Sequence, residues 1–175
     1  MPPTARNVRL VVVRHGPAVA RDPARWLDDS KRPLTGGGAA EMRRAARGLA
    51  RTVGRVDRLA TSDALRCRAT AEILRAALDR PPPLERWPEL GPGGLAPPIL
   101  ARVARVARSG ERVVLVAHDP TIGELVGLAL TGEGTPFVRM SKGGAVAIDF
   151  PRGIRAGAGV LRWLATRKHL VRAAG

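Results

Sequence analysis

Two apolar runs restrict the fold of this chain more than any other feature. Residues 8–13 read VRLVVV and residues 112–117 read RVVLVA. A strand with one wet face alternates apolar and polar residues. These runs are apolar almost throughout, the pattern of strands covered on both faces in a parallel or mixed sheet. Each run ends in charge, with Arg14 and His15 after the first and His118 after the second.

Helical periodicity fills the space between them. Thr35 reads as the N-cap of a helix in which Met42, Ala46, Leu49 and Val53 recur at helical spacing, while Arg43, Arg44, Arg47 and Arg51 take the other faces. Arg58–Thr61 is a short strand, and residues 64–78 repeat the helical period through Cys67, Ala71, Leu74 and Leu78. Residues 81–98 hold seven prolines, which excludes regular helix or an interior strand over most of the stretch. A loop of that length in a compact domain usually serves a function. Residues 99–107 form a short helix. After His118, Asp119 is placed to cap a further helix with Pro120 at its first position, Ile122, Leu125, Val126 and Ala129 facing inward, and an end near Gly132. Ala145–Phe150 and residues 160–164 supply two later strands before a basic tail. Strands alternating with helices predict an α/β sandwich with helices on both faces of a sheet. The 175 residues suit one domain, 1–175.

Composition limits the partners. The formal charge is +15, from 30 basic and 15 acidic residues, so anionic partners of any kind are drawn to the surface. Only Lys31, Lys142 and Lys168 are lysines, in a chain rich in arginine, alanine, glycine and proline. Codon bias produces such a composition, so the charge is discounted as a functional signal. No apolar run reaches the roughly 18 residues of a membrane helix, and the first ten residues lack the apolar stretch of a signal peptide. The expected location is cytoplasmic, with no membrane partner. Cys67 is alone, which rules out an intrachain disulfide, and reads as a small core residue.

The chemistry is sought at the carboxyl ends of the strands, where helix N-termini and free N–H groups converge in an open α/β sheet. The residues there are Arg14 and His15, then Ser62, Asp63 and, a turn into the helix, Arg66, then His118. Singly, each has an ordinary structural explanation. Together the two histidines and two arginines compose a phosphoryl-transfer site, because arginine forks and histidine N–H donors match the oxygens of a transferring phosphoryl group. His15 would attack phosphorus through a ring nitrogen and form a phosphohistidine that water later hydrolyses. It must be neutral to do so, and positive charge from Arg14, Arg66 and His118 disfavours the imidazolium. Its other ring nitrogen needs an acceptor to fix its orientation. An alkoxide leaving group needs a proton, for which Glu89 in the proline-rich loop is the first candidate, with Glu85 and Asp119 behind it. A solvent-exposed acid is the plain alternative for Glu89.

Five segments also carry a family resemblance: VVVRHG, RPLTGGG at 32–38, SDALRCRATAEIL at 62–74, PELGPGG at 88–94 and VVLVAHDPTIGELV at 113–126. In this order, over residues 8–150, they resemble the histidine phosphatase superfamily, in its short branch of SixA-type phosphohistidine phosphatases. The resemblance implies a phosphoglycerate mutase-like three-layer α/β/α sandwich with a mostly parallel central sheet. It implies His15 as the phosphorylated nucleophile, Arg14, Arg66 and His118 as the phosphate pocket, and Glu89 at the position of the branch's glutamate. Gly16, Arg32 and Asp119 are secondary, Arg32 either near the pocket or bracing the start of a helix. No cofactor and no metal are implied. A phosphoramidate leaving group such as imidazole needs less help from an acid than a sugar alkoxide does. The chain departs from the pattern at Asp63, where the family usually has proline, at Pro17, where this branch often has an acid, and at Asp119, an extra carboxylate beside His118.

The function expected is therefore a metal-independent phosphatase acting on protein phosphohistidine, with a small-molecule phosphomonoesterase as the alternative. No large insertion is present to build a lid, which favours a protein-borne phosphate. A basic nucleic-acid-binding module is the rival from another class. It is disfavoured by the lack of any tyrosine and of an aromatic stacking pattern. Metal-dependent hydrolysis lacks ligand spacing among three histidines, and a cysteine phosphatase would need an arginine where Ile73 stands.

Overall fold

The computed structural model describes residues 7–136 and 138–175. Residues 1–6, part of the stretch expected to lack the apolar run of a signal peptide, lie outside them. Six strands, β1 (Val8–Arg14), β2 (Arg58–Thr61), β3 (Leu84–Arg86), β4 (Arg112–Ala117), β5 (Ala145–Phe150) and β6 (Val160–Ala165), form one sheet in the order β3-β2-β4-β1-β5-β6. β3, β2, β4 and β1 pair in parallel, whereas β5 is antiparallel to both β1 and β6. The sheet is therefore mixed, with β5 alone running against the rest.

The apolar runs occupy its centre because helices cover both faces. Leu10 and Val12 pack toward Ile99 and Val103 of α3 (Ala96–Val106) and Ile122 and Leu125 of α4 (Thr121–Thr131). Val11 and Val13 pack the other way, toward Ala45 and Leu49 of α1 (Gly36–Val53), Cys67 and Ala71 of α2 (Leu65–Ala76) and Leu170 of α5 (Arg167–Arg172). All four β1 side chains are fully buried, each worth about 1.5–3 kcal/mol relative to exposure. This is the expected three-layer α/β/α arrangement.

Local differences from the sequence reading have identifiable causes. Thr35 caps α1 by accepting from Gly38 N at 2.8 Å, and the glycines after it form the first helical turn. A Cβ on Gly38 would lie 2.2 Å from the Pro17 carbonyl oxygen, so that turn packs directly on the loop leaving β1. Within residues 81–98 the chain forms β3, paired only with β2 at the sheet edge, and a 3₁₀ turn at Pro88–Leu90. α3 starts at Ala96, earlier than expected, because Pro97 and Pro98 sit in its first turn, where a missing N–H breaks no helical bond. The basic segment 151–175 contains β6 and α5. α5 is held by a capping box between Thr166 and His169, and its Leu170 is buried against α1. No helix of the described residues is long and apolar enough to cross a membrane.

The topology also selects the site. β1 and β4 are adjacent and parallel, yet β1 leads to α1 on one face and β4 to α4 on the other. Where connections diverge from neighbouring parallel strands, a crevice opens beyond their carboxyl ends. Arg14 is in register with Ala117, and His15 N donates to the Ala117 carbonyl at 3.1 Å. His15 and His118 thus leave two neighbouring strands at the same level.

Candidate active site

His15 and His118 face each other edge to face, with ring centroids 5.5 Å apart, and are only 5% and 6% exposed. His15 Nδ1 lies 2.7 Å from the Gly16 carbonyl oxygen. A carbonyl only accepts, so Nδ1 carries the proton, and in the neutral ring Nε2 keeps its lone pair. Burial, followed by the charges of Arg66, Arg14 and Lys142, pushes the His15 pKa down to about 4 against the support of that carbonyl. The ring is neutral at physiological pH. Gly16 owes its identity to space as much as to turning, since a Cβ there would lie 2.4 Å from Met42 Cγ on α1.

His118 is braced differently. Arg66 Nη2 lies 3.2 Å from its Nδ1, and arginine only donates, so this nitrogen accepts. Nε2 then carries the proton and donates to Ser62 Oγ at 2.9 Å. Burial first, then Arg66, lowers its pKa to about 3. Cys67 Sγ packs 3.4 Å from Nε2, and burial pushes this thiol up to about 12, so it is a neutral packing group.

The guanidinium groups are held by acceptors at the cleft wall. Arg14 donates to the Met140 carbonyl at 2.6 Å and pairs with Asp119 at 2.8 Å. Arg66 donates to the Asp29 carbonyl at 2.7 Å and pairs with its carboxylate at 2.9 Å, and Arg32 meets the same carboxylate at 2.9 Å. Arg32 also donates to the Val19 carbonyl at 2.7 Å, which ties the loop after β1 together. Three buried side-chain donors lack an acceptor among the described residues, and two are Nε of Arg14 and Nε of Arg66. The third is Nε of Arg102, whose guanidinium lies over the Trp87 ring. Free N–H donors beside two neutral histidines suit a tetrahedral oxyanion. The cleft these groups line, about 400 Å³, also takes in Arg21, Lys142, Pro92 and Gly93.

Comparison with known proteins bears on the family and the fold. Residues 10–91 match the family described as the histidine phosphatase superfamily (branch 1). The chain is 32% identical over 157 residues to the phosphohistidine phosphatase SixA of Escherichia coli (strain K12), covering 89% of this chain and 92% of that one. The chain belongs to the histidine phosphatase superfamily, in its SixA-type branch. A solved structure of the protein histidine phosphatase SixA complexed with tungstate superposes with a TM-score of 0.79 at 28% identity, covering 93% of this chain and 99% of that one. The alpha-ribazole phosphatase of Shigella flexneri shares the fold at 18% identity, with a TM-score of 0.68 and coverage of 91% and 96%. This histidine phosphatase is accordingly a phosphatase enzyme.

Within the phosphatase, Arg14, His15, Arg66, His118, Arg32 and Asp119 meet at one cleft, and Glu89 does not line it. Glu89 accepts from Arg102 of α3 at 2.7 Å, and a bond from its own backbone N–H, then Arg102, holds its carboxyl below the usual range. Asp119 does not cap α4. Its carboxylate turns to Arg14, and burial raises its pKa. The peptide between Asp119 and Pro120 is cis. Asp63 is exposed and pairs with Arg86 at 3.4 Å, outside the cleft. Asp29 and Lys142 stand at the cleft although nothing in the sequence pointed to them, and Ser62, which holds His118, was read only as a strand-end residue. Ser62 stands at a strand end like the residues that were chosen. Asp29 opens the 3₁₀ turn Asp29–Lys31 and Lys142 lies in a loop, and neither stretch is long enough to show a period. Among the described residues no three His, Cys, Asp or Glu side chains cluster as a metal site.

Proposed function

We propose that residues 1–175 act as one domain that removes phosphate from phosphohistidine on a protein, through a covalent intermediate on His15. The observation that carries this reading is the hydrogen bond from His15 Nδ1 to the Gly16 carbonyl, which leaves Nε2 as a buried neutral nucleophile between phosphate-matched donors. In the first step Nε2 forms a bond to phosphorus as the bond from phosphorus to the substrate imidazole breaks. Arg14 and Arg66 hold the phosphoryl oxygens, and His118 stands beside Arg66 with its ring 5.5 Å from that of His15. In the second step water attacks phosphorus, the bond to Nε2 breaks and inorganic phosphate leaves. His15 keeps its Nδ1 proton throughout, so the phosphorylated ring is cationic and departs readily.

The leaving group follows from the acids. Glu89 is tied to Arg102 as a carboxylate, an unpromising donor to an alkoxide. A substrate imidazole that already bears a proton on its other nitrogen leaves neutral and needs none. This supports a phosphoramidate over a sugar phosphate, and the E. coli relative is a phosphohistidine phosphatase. A panel of a phosphohistidine protein, sugar phosphates and nucleotides, assayed with chelator present, tests the reading. The expected result is highest kcat/KM on the phosphohistidine protein and acid-labile phosphate trapped on His15. Full chelator-resistant activity in His15→Ala overturns the mechanism, and a preference for a small ester overturns the substrate.

A further inference from the structure

Thr70 lies in the segment SDALRCRATAEIL, is fully buried on α2, and has no part in the chemistry described above. Its hydroxyl makes two contacts that matter together. Thr70 Oγ1 donates to the Arg66 carbonyl at 2.7 Å, one turn back on the same helix. A hydroxyl has one proton, so its oxygen is left to accept, and it accepts Gly16 N at 3.0 Å. Gly16 then offers its own carbonyl to His15 Nδ1 at 2.7 Å. The residue that dictates which nitrogen of His15 is protonated is thereby gripped at its N–H by Thr70 and at its carbonyl by the nucleophile, and Met42 leaves no room for a Cβ on it.

We infer that Thr70 is a positioning residue, which sets the tautomer and the aim of His15 through Gly16 and locks them in register with Arg66. The alternative for a buried helical threonine is a plain back-bond to the carbonyl four residues earlier, which needs no second partner. Here the second partner exists, and it is 54 residues away in sequence on the loop that carries the nucleophile. α2 thus braces both histidines, His15 through Thr70 and Gly16, and His118 through Arg66. The inference rests on the reading of His15 as nucleophile, yet part of its test does not.

Thr70→Val keeps the shape and removes the hydroxyl, while Thr70→Ser keeps the hydroxyl and removes the methyl. In the wild-type protein, long-range nitrogen-15 NMR is expected to show His15 as a single tautomer protonated at Nδ1, resolved among only three histidines. In Thr70→Val the Nε2-protonated form should appear. kcat should fall about 10- to 100-fold with KM changed less than about threefold, a misaimed reactant rather than lost binding. Thr70→Ser should restore kcat to within about threefold. Unchanged His15 signals and unchanged kcat in Thr70→Val overturn the inference, as does an equal loss in both variants with the tautomer unaltered. If Thr70→Val does not fold, the wild-type protein decides: the Gly16 amide should exchange with solvent only on global unfolding, and exchange at loop rates overturns the proposal. A His15→Ala protein that keeps its activity would refute the proposed mechanism while leaving the tautomer result standing, so the two failures are distinguishable.

Discussion

His15 and His118 leave strands buried on both faces and are themselves 5% and 6% exposed, whereas Glu89 sits in a short turn after an edge strand with its side chain 33% exposed. The first pair forms the floor of the cleft and has little freedom. β1 and β4 fix the backbone, and Gly16, Ser62 and Arg66 fix both rings. The rim is built from loops whose charged groups choose among nearby partners, and Glu89 chose Arg102 of α3. A residue delivered by a buried strand keeps the position its sequence implies. A residue delivered by a loop takes whichever partner the folded surface presents.

The widest test of this contrast is to remove the nucleophile from the floor. His15→Ala should lower kcat by at least about 10³-fold and abolish the trapped acid-labile phosphate, because the Nδ1 lone pair of His118, the other neutral ring in the cleft, is occupied by Arg66. Next in size, Arg66→Ala should cost about 10²–10³-fold in kcat/KM, the effect of losing a preorganised oxyanion donor, and it also frees His118 Nδ1. Steady-state kinetics on a phosphohistidine protein checks both.

Acid provides a third test. The His15 and His118 pKa values are lowered to about 4 and about 3, against about 6.5 for an unfolded histidine. As the pH falls through 6.5 toward 4, the unfolded chain takes up protons that the folded histidines refuse, so their contribution to stability is present above that window and lost within it. Denaturant titrations should therefore show stability dropping on acidification, with a shallower slope in His118→Asn. The His15 NMR signals should remain those of a neutral ring at pH 5.5. Protonation of His15 with a midpoint near 6.5 would mean that the floor is as open to solvent as the rim.

The smallest effect is expected at the rim. Glu89→Gln should change kcat on a phosphohistidine protein by less than about threefold, where a general acid would be worth about 10²–10⁴-fold. A loss of the latter size would bring Glu89 back to the floor and replace its bond to Arg102 by a catalytic role.

The central strands, the two long helices after them and the strand-end residues Arg14, His15 and His118 were legible because burial on both faces and helical spacing are local properties of the chain. Resemblance added the order of the segments and the family. The edge strand β3 was not legible, because three residues between prolines show no period. Asp119 was misread as a cap for α4 because capping is a local rule, and the competing partner, Arg14, is more than a hundred residues away. Asp29 escaped notice for the same reason, since its partner Arg66 stands on a different element.

The sequence by itself determined which strands are buried, which residues stand at their ends and that those residues suit a phosphoryl group. Hydrophobic periodicity and side-chain chemistry act within a few residues and survive in the linear order. Only the tertiary structure decided that β1 lies beside β4, that the Gly16 carbonyl sets the His15 tautomer while Thr70 holds Gly16, and that Glu89 turns to Arg102. Those outcomes are pairings between distant segments, and a hydrogen bond or ion pair is made with whichever group the packing of the whole chain brings within about 3 Å.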